Sequence, residues 1–274
     1  IGRDTRDDVL LCRTGAPATM DRRRFLAGAA AAGAAGLAGC GTASGTVRAP
    51  SLPTDRLEEG GWERTRADTE EVLSRTVGGV DVTATAVTRV YDDAALRAAV
   101  SERTLGALDA PLSNVFASRI AFSPNLADVP LESAREELAD RAGEVARGQF
   151  ESQLSSAGLT DISATDAGTI AVETGEDASL TEYSAAFAFD ALSFDVRGET
   201  VTIEEGSVAV EGLLASWIHD GGLLIAGGAY PAENVVRTVE QDLSEAITVT
   251  VDVDLGLTPD AYREEVRGIV TRVE

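Results

Sequence analysis

GSVAVEGLLASWIH (Gly206–His219), then Asp220-Gly221, then GLLIAGGA (Gly222–Ala229), is the passage from which the rest of the chain can be read. Both flanks are almost wholly apolar, and an Asp-Gly pair between such flanks suits a type I′ hairpin turn. Strands that are apolar on both faces belong in the middle of a sheet covered on both sides. The passage therefore predicts a buried hairpin at the centre of the core.

Outward from it, shorter runs supply further strands. Val80, Val82, Ala84 and Ala86 alternate with Thr83, Thr85 and Thr88 after Gly78-Gly79, which is strand composition after a turn. Trp62–Val77 holds one or two more strands, Val115–Phe122 another, and Asp161–Thr174 and Tyr183–Arg197 two beyond that. Ile247–Asp254 (ITVTVDVD) alternates Val with Thr or Asp and reads as a strand with one acidic, solvated face.

Helices are marked by period and caps. Asp93 is a good N-cap for Ala94–Arg103, with Leu96, Ala99 and Val100 inward. Leu131–Ala157 keeps Leu131, Leu138, Ala142, Val145, Phe150 and Leu154 near helical spacing, with Pro130 before it and Gly158 after. Pro231–Ala246 is expected to be helical too. Thr258-Pro259-Asp260 starts a last helix whose stripe is Tyr262, Val266, Ile269 and Val273. Antiparallel strands packed by such amphipathic helices make an α+β fold, mainly antiparallel, rather than a βαβ array.

Ahead of this body stands MDRRRFLAGAAAAGAAGLAGC, Met20 to Cys40. Arg22, Arg23 and Arg24 followed by Phe25 and Leu26, then an uncharged Ala/Gly/Leu run, form a basic and an apolar region of an export signal. The run of about 14 residues is shorter than the ~20 needed to span a bilayer. Arg22, Arg23, Phe25 and Leu26 fit the twin-arginine pattern, although Asp21 replaces the commoner Ser or Thr. Leu37, Ala38, Gly39 and Cys40 look like a lipobox, in which the Cys40 thiol takes a lipid after cleavage.

Met20 is the only methionine, so residues 1–19 are expected to be translated upstream sequence. The expected organisation is then 1–19 upstream, 20–39 twin-arginine lipoprotein signal, 40–57 a lipidated flexible tether, and 58–274 one globular α+β domain. The tether, GTASGTVRAPSLPTDRL from Gly41, would reach roughly 20–25 Å if unstructured.

Composition sets the environment. The chain has 46 acidic and 23 basic residues, a net charge of −23, and every basic residue is Arg. Taking off four aspartates and six arginines ahead of Cys40 leaves 42 against 17, about −25. Such self-repulsion opposes compaction in dilute buffer and is screened over about 3 Å at molar salt. This composition suits concentrated salt, and it disfavours nucleic acid as a partner. Cys40 is the only cysteine beyond Cys12 and His219 the only histidine, so neither an intrachain disulfide in the body nor a thiolate or imidazole metal site is expected, and no cofactor.

Candidate chemistry is sparse. His219-Asp220 is the one adjacent His–carboxylate pair, but no G-x-S-x-G accompanies it, and a histidine at the surface end of a hairpin is the expected role. Asp252-Val253-Asp254-Leu255-Gly256 lacks the further ligands of a calcium loop. Glu136-Glu137, Glu204-Glu205 and Glu264-Glu265 are expected to be surface pairs rather than a catalytic dyad. Gly227-Gly228 is no phosphate loop and is expected to permit a turn or close packing. Trp62 and Trp217 are expected in the core.

The export motifs, the absence of Lys, and the segments SWIHDGGLLIAGGAYPAEN (Ser216–Asn234) and VDVDLGLTP (Val251–Pro259) together resemble an uncharacterised family of exported lipoproteins of halophilic archaea, over roughly Trp62–Glu274. That resemblance implies an ether lipid on Cys40, passage through the twin-arginine translocase, and display on the outer face of the cytoplasmic membrane. The helix and strand pattern is loosely similar to Mog1/PsbP-like domains, in fold alone. The expected role is a non-enzymatic module that binds a ligand or partner or assists assembly at the cell surface. The alternative is an extracytoplasmic hydrolase working through Asp/Glu carboxylates, with or without a divalent cation.

Overall fold

The computed structural model describes residues 47–274 apart from 78, 79, 107, 126, 127, 129–131, 197, 198, 245 and 246. The central hairpin forms as β8 (Gly206–His219) and β9 (Gly222–Pro231), antiparallel throughout. Asp220 and Gly221 have φ of 52° and 71°, the two left-handed residues a type I′ turn demands. All ten residues of β9 are buried.

Around this hairpin lie β1 (Trp62–Val77), β2 (Val80–Asp93), β3 (Asn114–Ser123), β4 (Leu159–Ala171) and β5 (Asp177–Phe189). They form one seven-stranded sheet in the order β1-β2-β3-β9-β8-β5-β4, every neighbouring pair antiparallel. β9 is the middle strand, which is why it has no polar face. The fold is α+β.

Helices cover both faces of the sheet. α1 (Thr54–Gly60), α2 (Ala94–Arg103), α3 (Glu132–Ser156) and α4 (Pro259–Val270) are the α-helices among the described residues. On one face α4 delivers Val266, Ile269 and Val270 onto Val115, Ala117, Leu224, Ala226 and Trp217. On the other, Ala142, Phe150 and Leu154 of α3 meet Ile120, Tyr183, Leu214 and Ile225. Phe150 anchors that contact, its ring 5.4 Å from Phe116 and 5.0 Å from Tyr183, edge-on to the latter.

Glycine makes the middle of the sheet possible at Gly227 and Gly228. A Cβ at the first would lie 2.6 Å from the Leu213 carbonyl oxygen, and at the second 2.5 Å from that of Asn114. These residues serve close strand packing, as expected, and not a phosphate. Trp62 and Trp217 are both buried.

The α2 cap is as the sequence indicated: the Leu96 amide donates to Asp93 Oδ1 at 2.7 Å. α3 spans nearly the expected stretch, and Gly158 follows it with φ 90°. Three expectations need correction. Pro231–Ala246 is not helical: β10 (Val236–Ser244) pairs with β11 (Ile247–Asp254), with Thr238 donating to Asp252 Oδ1 at 2.7 Å. Apolar Val235, Val236, Val239 and Leu243 mimic a helical repeat, but β-branched Val and Thr opposite a second Val/Thr run favour the ladder.

Tyr183–Arg197 is likewise not one strand. It divides into the end of β5 and β6 (Leu192–Val196), which pairs with β7 (Glu199–Ile203) as a separate hairpin. Lastly, the expected tether over 40–57 is docked from Ser51 onward: Leu52 and Leu57 are buried, and Ser51 exchanges both backbone hydrogen bonds with Glu274, at 2.7 and 2.9 Å. Buried leucines at this spacing tie the segment down, where its Pro and Thr content alone reads as loop.

Among the described residues, no helix is long and apolar enough to cross a membrane.

Candidate functional site

The main apolar concavity lies between α3 and its face of the sheet. Its floor is made by Ala84 and Ala86 of β2, Ile120 of β3 and Ile225 of β9, and its wall by Ala142, Val145 and Ala146 of α3. Small side chains face each other there. Alanine opposite alanine cannot fill the gap that leucine or phenylalanine fills farther along the same interface, where Phe150 reaches the sheet.

A shallow cleft results, with about 50 Å³ of space that a water-sized group can occupy. Thr88 and Ser118 are the floor's polar groups, and they satisfy each other at 2.9 Å, so the floor asks nothing of a ligand. Polar groups stand on α3 instead, in Arg141, Gln149 and Gln153. Arg141 is partly engaged by Glu144 at 2.9 Å. Val145 remains 38% exposed, an apolar side chain left open on a predominantly polar helix surface.

Tyr183, under Phe150, carries a phenol oxygen that is buried without a partner. Burial pushes its pKa up to about 12, with the Glu151 charge adding to the rise, so it stays a neutral hydroxyl.

At the hairpin end His219 is more than a surface residue. Its Nδ1 lies 2.9 Å from Glu176 Oε1, and Nε2 lies 3.5 Å from Asp220 Oδ2. The imidazole, then Thr174, hold the Glu176 pKa below the usual carboxylate range. Thr174 in turn accepts from the Trp217 indole at 3.1 Å. This is a polar clasp over the end of the sheet, joining the β4–β5 loop to the β8–β9 turn. Geometry resembling a His–carboxylate pair is present, with the one hydroxyl drawn into it serving as acceptor for an indole.

The remaining sequence candidates are dispersed. Asp252 takes the Thr238 hydroxyl, and Asp254 accepts from Asn234 and from the Gly256 amide at 2.8 and 2.7 Å, as in a strand end and turn. Glu204, Glu205 and Glu264 are exposed, while Glu265 receives the Trp62 indole at 2.8 Å. Among the described residues, no group of three or more His, Cys, Asp or Glu side chains is placed to hold a metal ion. Arg22, Arg23, Phe25, Leu26, Leu37, Ala38, Gly39 and Cys40 lie outside the described residues.

Residues 49–274 match a family described as Domain of unknown function (DUF6517), and the chain belongs to that family. No curated protein and no solved structure matches it.

Proposed function

We propose that this protein is an exported, lipid-anchored binding module whose ligand or partner inserts an apolar group into the cleft beneath α3. The observation that carries the reading is the cleft itself: alanine-lined, apolar in its floor, and rimmed by Arg141, Gln149 and Gln153. An apolar hollow with few polar groups at its edge suits the insertion of a small apolar group. Val145, exposed beside it, extends the apolar surface.

The address rests on the Met20–Cys40 stretch. Arg22 and Arg23 with Phe25 and Leu26 direct the folded protein to the twin-arginine translocase, and Leu37–Cys40 supply the lipidation site. Cys40 then anchors the domain on the outer face of the cytoplasmic membrane, in the concentrated salt for which a net charge of −23 is suited.

The hydrolase alternative calls for a carboxylate with a raised pKa in a cleft. Asp93 is raised to about 6, chiefly by burial, yet its carboxylate is the N-cap of α2 and is almost fully enclosed. That assignment supports a structural role for it and leaves the binding reading ahead.

The cleft is tested by filling it. Ala146→Trp and Ala86→Leu should abolish binding of an environment-sensitive apolar fluorophore while leaving the circular dichroism unchanged. Undiminished fluorophore binding in both variants would overturn the assignment. Mass spectrometry of native membranes tests the anchor: an unmodified Cys40 thiol, or a Cys40→Ser variant that still fractionates with membranes, would remove it.

A further inference from the structure

Arg119 stands near the middle of β3, opposite Leu224 of β9, which itself pairs with Trp217 of β8. Strand alternation puts it on the side of Val115 and Ala117, toward α4, and so on the face opposite the cleft. It is only 8% exposed, and its Nε is buried without a hydrogen-bond partner.

Other arginines of this acidic chain end on carboxylates: Arg97 on Asp109, Arg263 on Glu211, Arg272 on Glu173. Among the described residues no carboxylate comes within ion-pair distance of Arg119. Asp220, whose charge it feels, has a side chain 70% exposed and set toward His219. In the clasp Trp217 is matched with Thr174 and His219 with Glu176 Oε1, while Glu176 Oε2 is buried without a hydrogen-bond partner. A second cation, the exposed Arg48, is close enough for its charge to oppose that of Arg119.

A buried guanidinium N–H without a partner is costly, and a second guanidinium nearby raises that cost. An anion between them removes both penalties, and the planar fork of Arg matches an oxyanion with paired N–H donors. We propose that Arg119 and Arg48 form a binding site for a small oxyanion, a carboxylate, sulfate or phosphate group, entered from the Arg48 side on the α4 face of the sheet. In a chain this acidic, two neighbouring cations with no carboxylate among the described residues in ion-pair contact are open to an external anion.

Calorimetry and thermal melting on the full chain in concentrated KCl test it, with sulfate, phosphate and succinate titrated at constant ionic strength. Saturable one-site binding with a rise in melting temperature is expected, because a ligand that binds only the folded state stabilises it. Arg119→Gln should weaken that binding at least ~tenfold, as loss of a charge-assisted contact does, and should not lower the anion-free melting temperature. Should Arg119→Gln not fold, Arg48→Gln at the exposed position carries the test, with weaker binding and an unchanged anion-free melting temperature. The ranking of the three anions separates an inorganic ligand from a carboxylate. Equal heats in the wild type and the folded variants, or stabilisation that chloride reproduces at the same ionic strength, would overturn the site.

Discussion

The indole of Trp62 donates to Glu265 Oε1 at 2.8 Å, a bond that ties the first residue of β1 to α4 across 203 positions of sequence. Trp62→Phe keeps an aromatic ring, though a smaller one, and strands the Glu265 carboxylate beside an apolar surface. A destabilisation of about 1–3 kcal/mol is expected, the cost of a partly buried acceptor left unmade. Glu265→Gln retains an acceptor and should cost less. Urea unfolding followed by far-UV circular dichroism gives both values; an unchanged midpoint for Trp62→Phe would show that the bond does not hold the helix.

Asp93 gives a pH dependence with a definite sign. Burial first, then the charge of Glu265, raises its pKa from 3.8 to about 6, against the Leu96 and Ala95 amides, which favour the charged form. A folded pKa above the unfolded one means that the native state binds the proton more tightly. The stability contributed by this group is present below about pH 4 and is lost as pH rises to about 6. Asp93→Asn keeps an N-cap oxygen and cannot titrate, so the difference between wild type and variant should fall across that window and flatten above it. Asp93→Ala, which also removes the cap, should be less stable than Asp93→Asn by about 1 kcal/mol, and that difference between the two non-titrating variants should not change with pH.

Two glycines on one molecule should respond oppositely to alanine. At Gly228 the added Cβ would lie 2.5 Å from a strand carbonyl oxygen, which cannot move without breaking the β3–β9 ladder. A loss of about 1–3 kcal/mol follows from such overpacking. At Gly148, on α3, nothing lies within 4 Å of the new Cβ. Gly148→Ala should therefore stabilise by roughly 0.5–1 kcal/mol, through helix propensity alone. Thermal melts of the two variants side by side decide the matter.

Salt should stabilise the native state steeply. With 46 acidic residues against 23 basic ones, repulsion falls as the screening length shortens from ~10 Å at 0.1 M to a few Å near molar salt. Each kcal/mol relieved raises the melting temperature of a domain this size by roughly 2–4 °C. A scanning series in KCl should show a monotonic rise, and a flat series would detach the acidic composition from any adaptation to brine.

The parts of the fold that were legible in the sequence are those in which local chemistry and tertiary demand agree. Asp220-Gly221 has only one comfortable use between two apolar runs, and β9, apolar on both sides, had to be central. Asp93 and Gly158 each sit where a helix end needs them. Legibility failed where a local repeat fits two structures. Val235, Val236, Val239 and Leu243 satisfy a helical period, and only the partner run at Ile247–Asp254 makes them a strand.

The cleft was not legible at all. It arises because Ala84 and Ala86 on β2 meet Ala142 and Ala146 on α3, residues separated by more than a helix and a strand, and periodicity names an inward face without saying what it meets. Arg119 was hidden in the same way. A lone Arg among strand residues reads as an exposed position, and its burial follows from β3 lying next to the central strand. His219 was visible as a residue, whereas Glu176, 43 positions away, was not.

The two-way backbone pairing of Ser51 with Glu274 has a mechanical consequence. A pull arriving along the chain from the N-terminal side is handed at Ser51 to the segment that follows α4, and only afterwards to β1. Load enters the domain through a clamp whose two jaws come from opposite ends of the described sequence, so the seven-stranded sheet is sheltered from tension until that clamp opens.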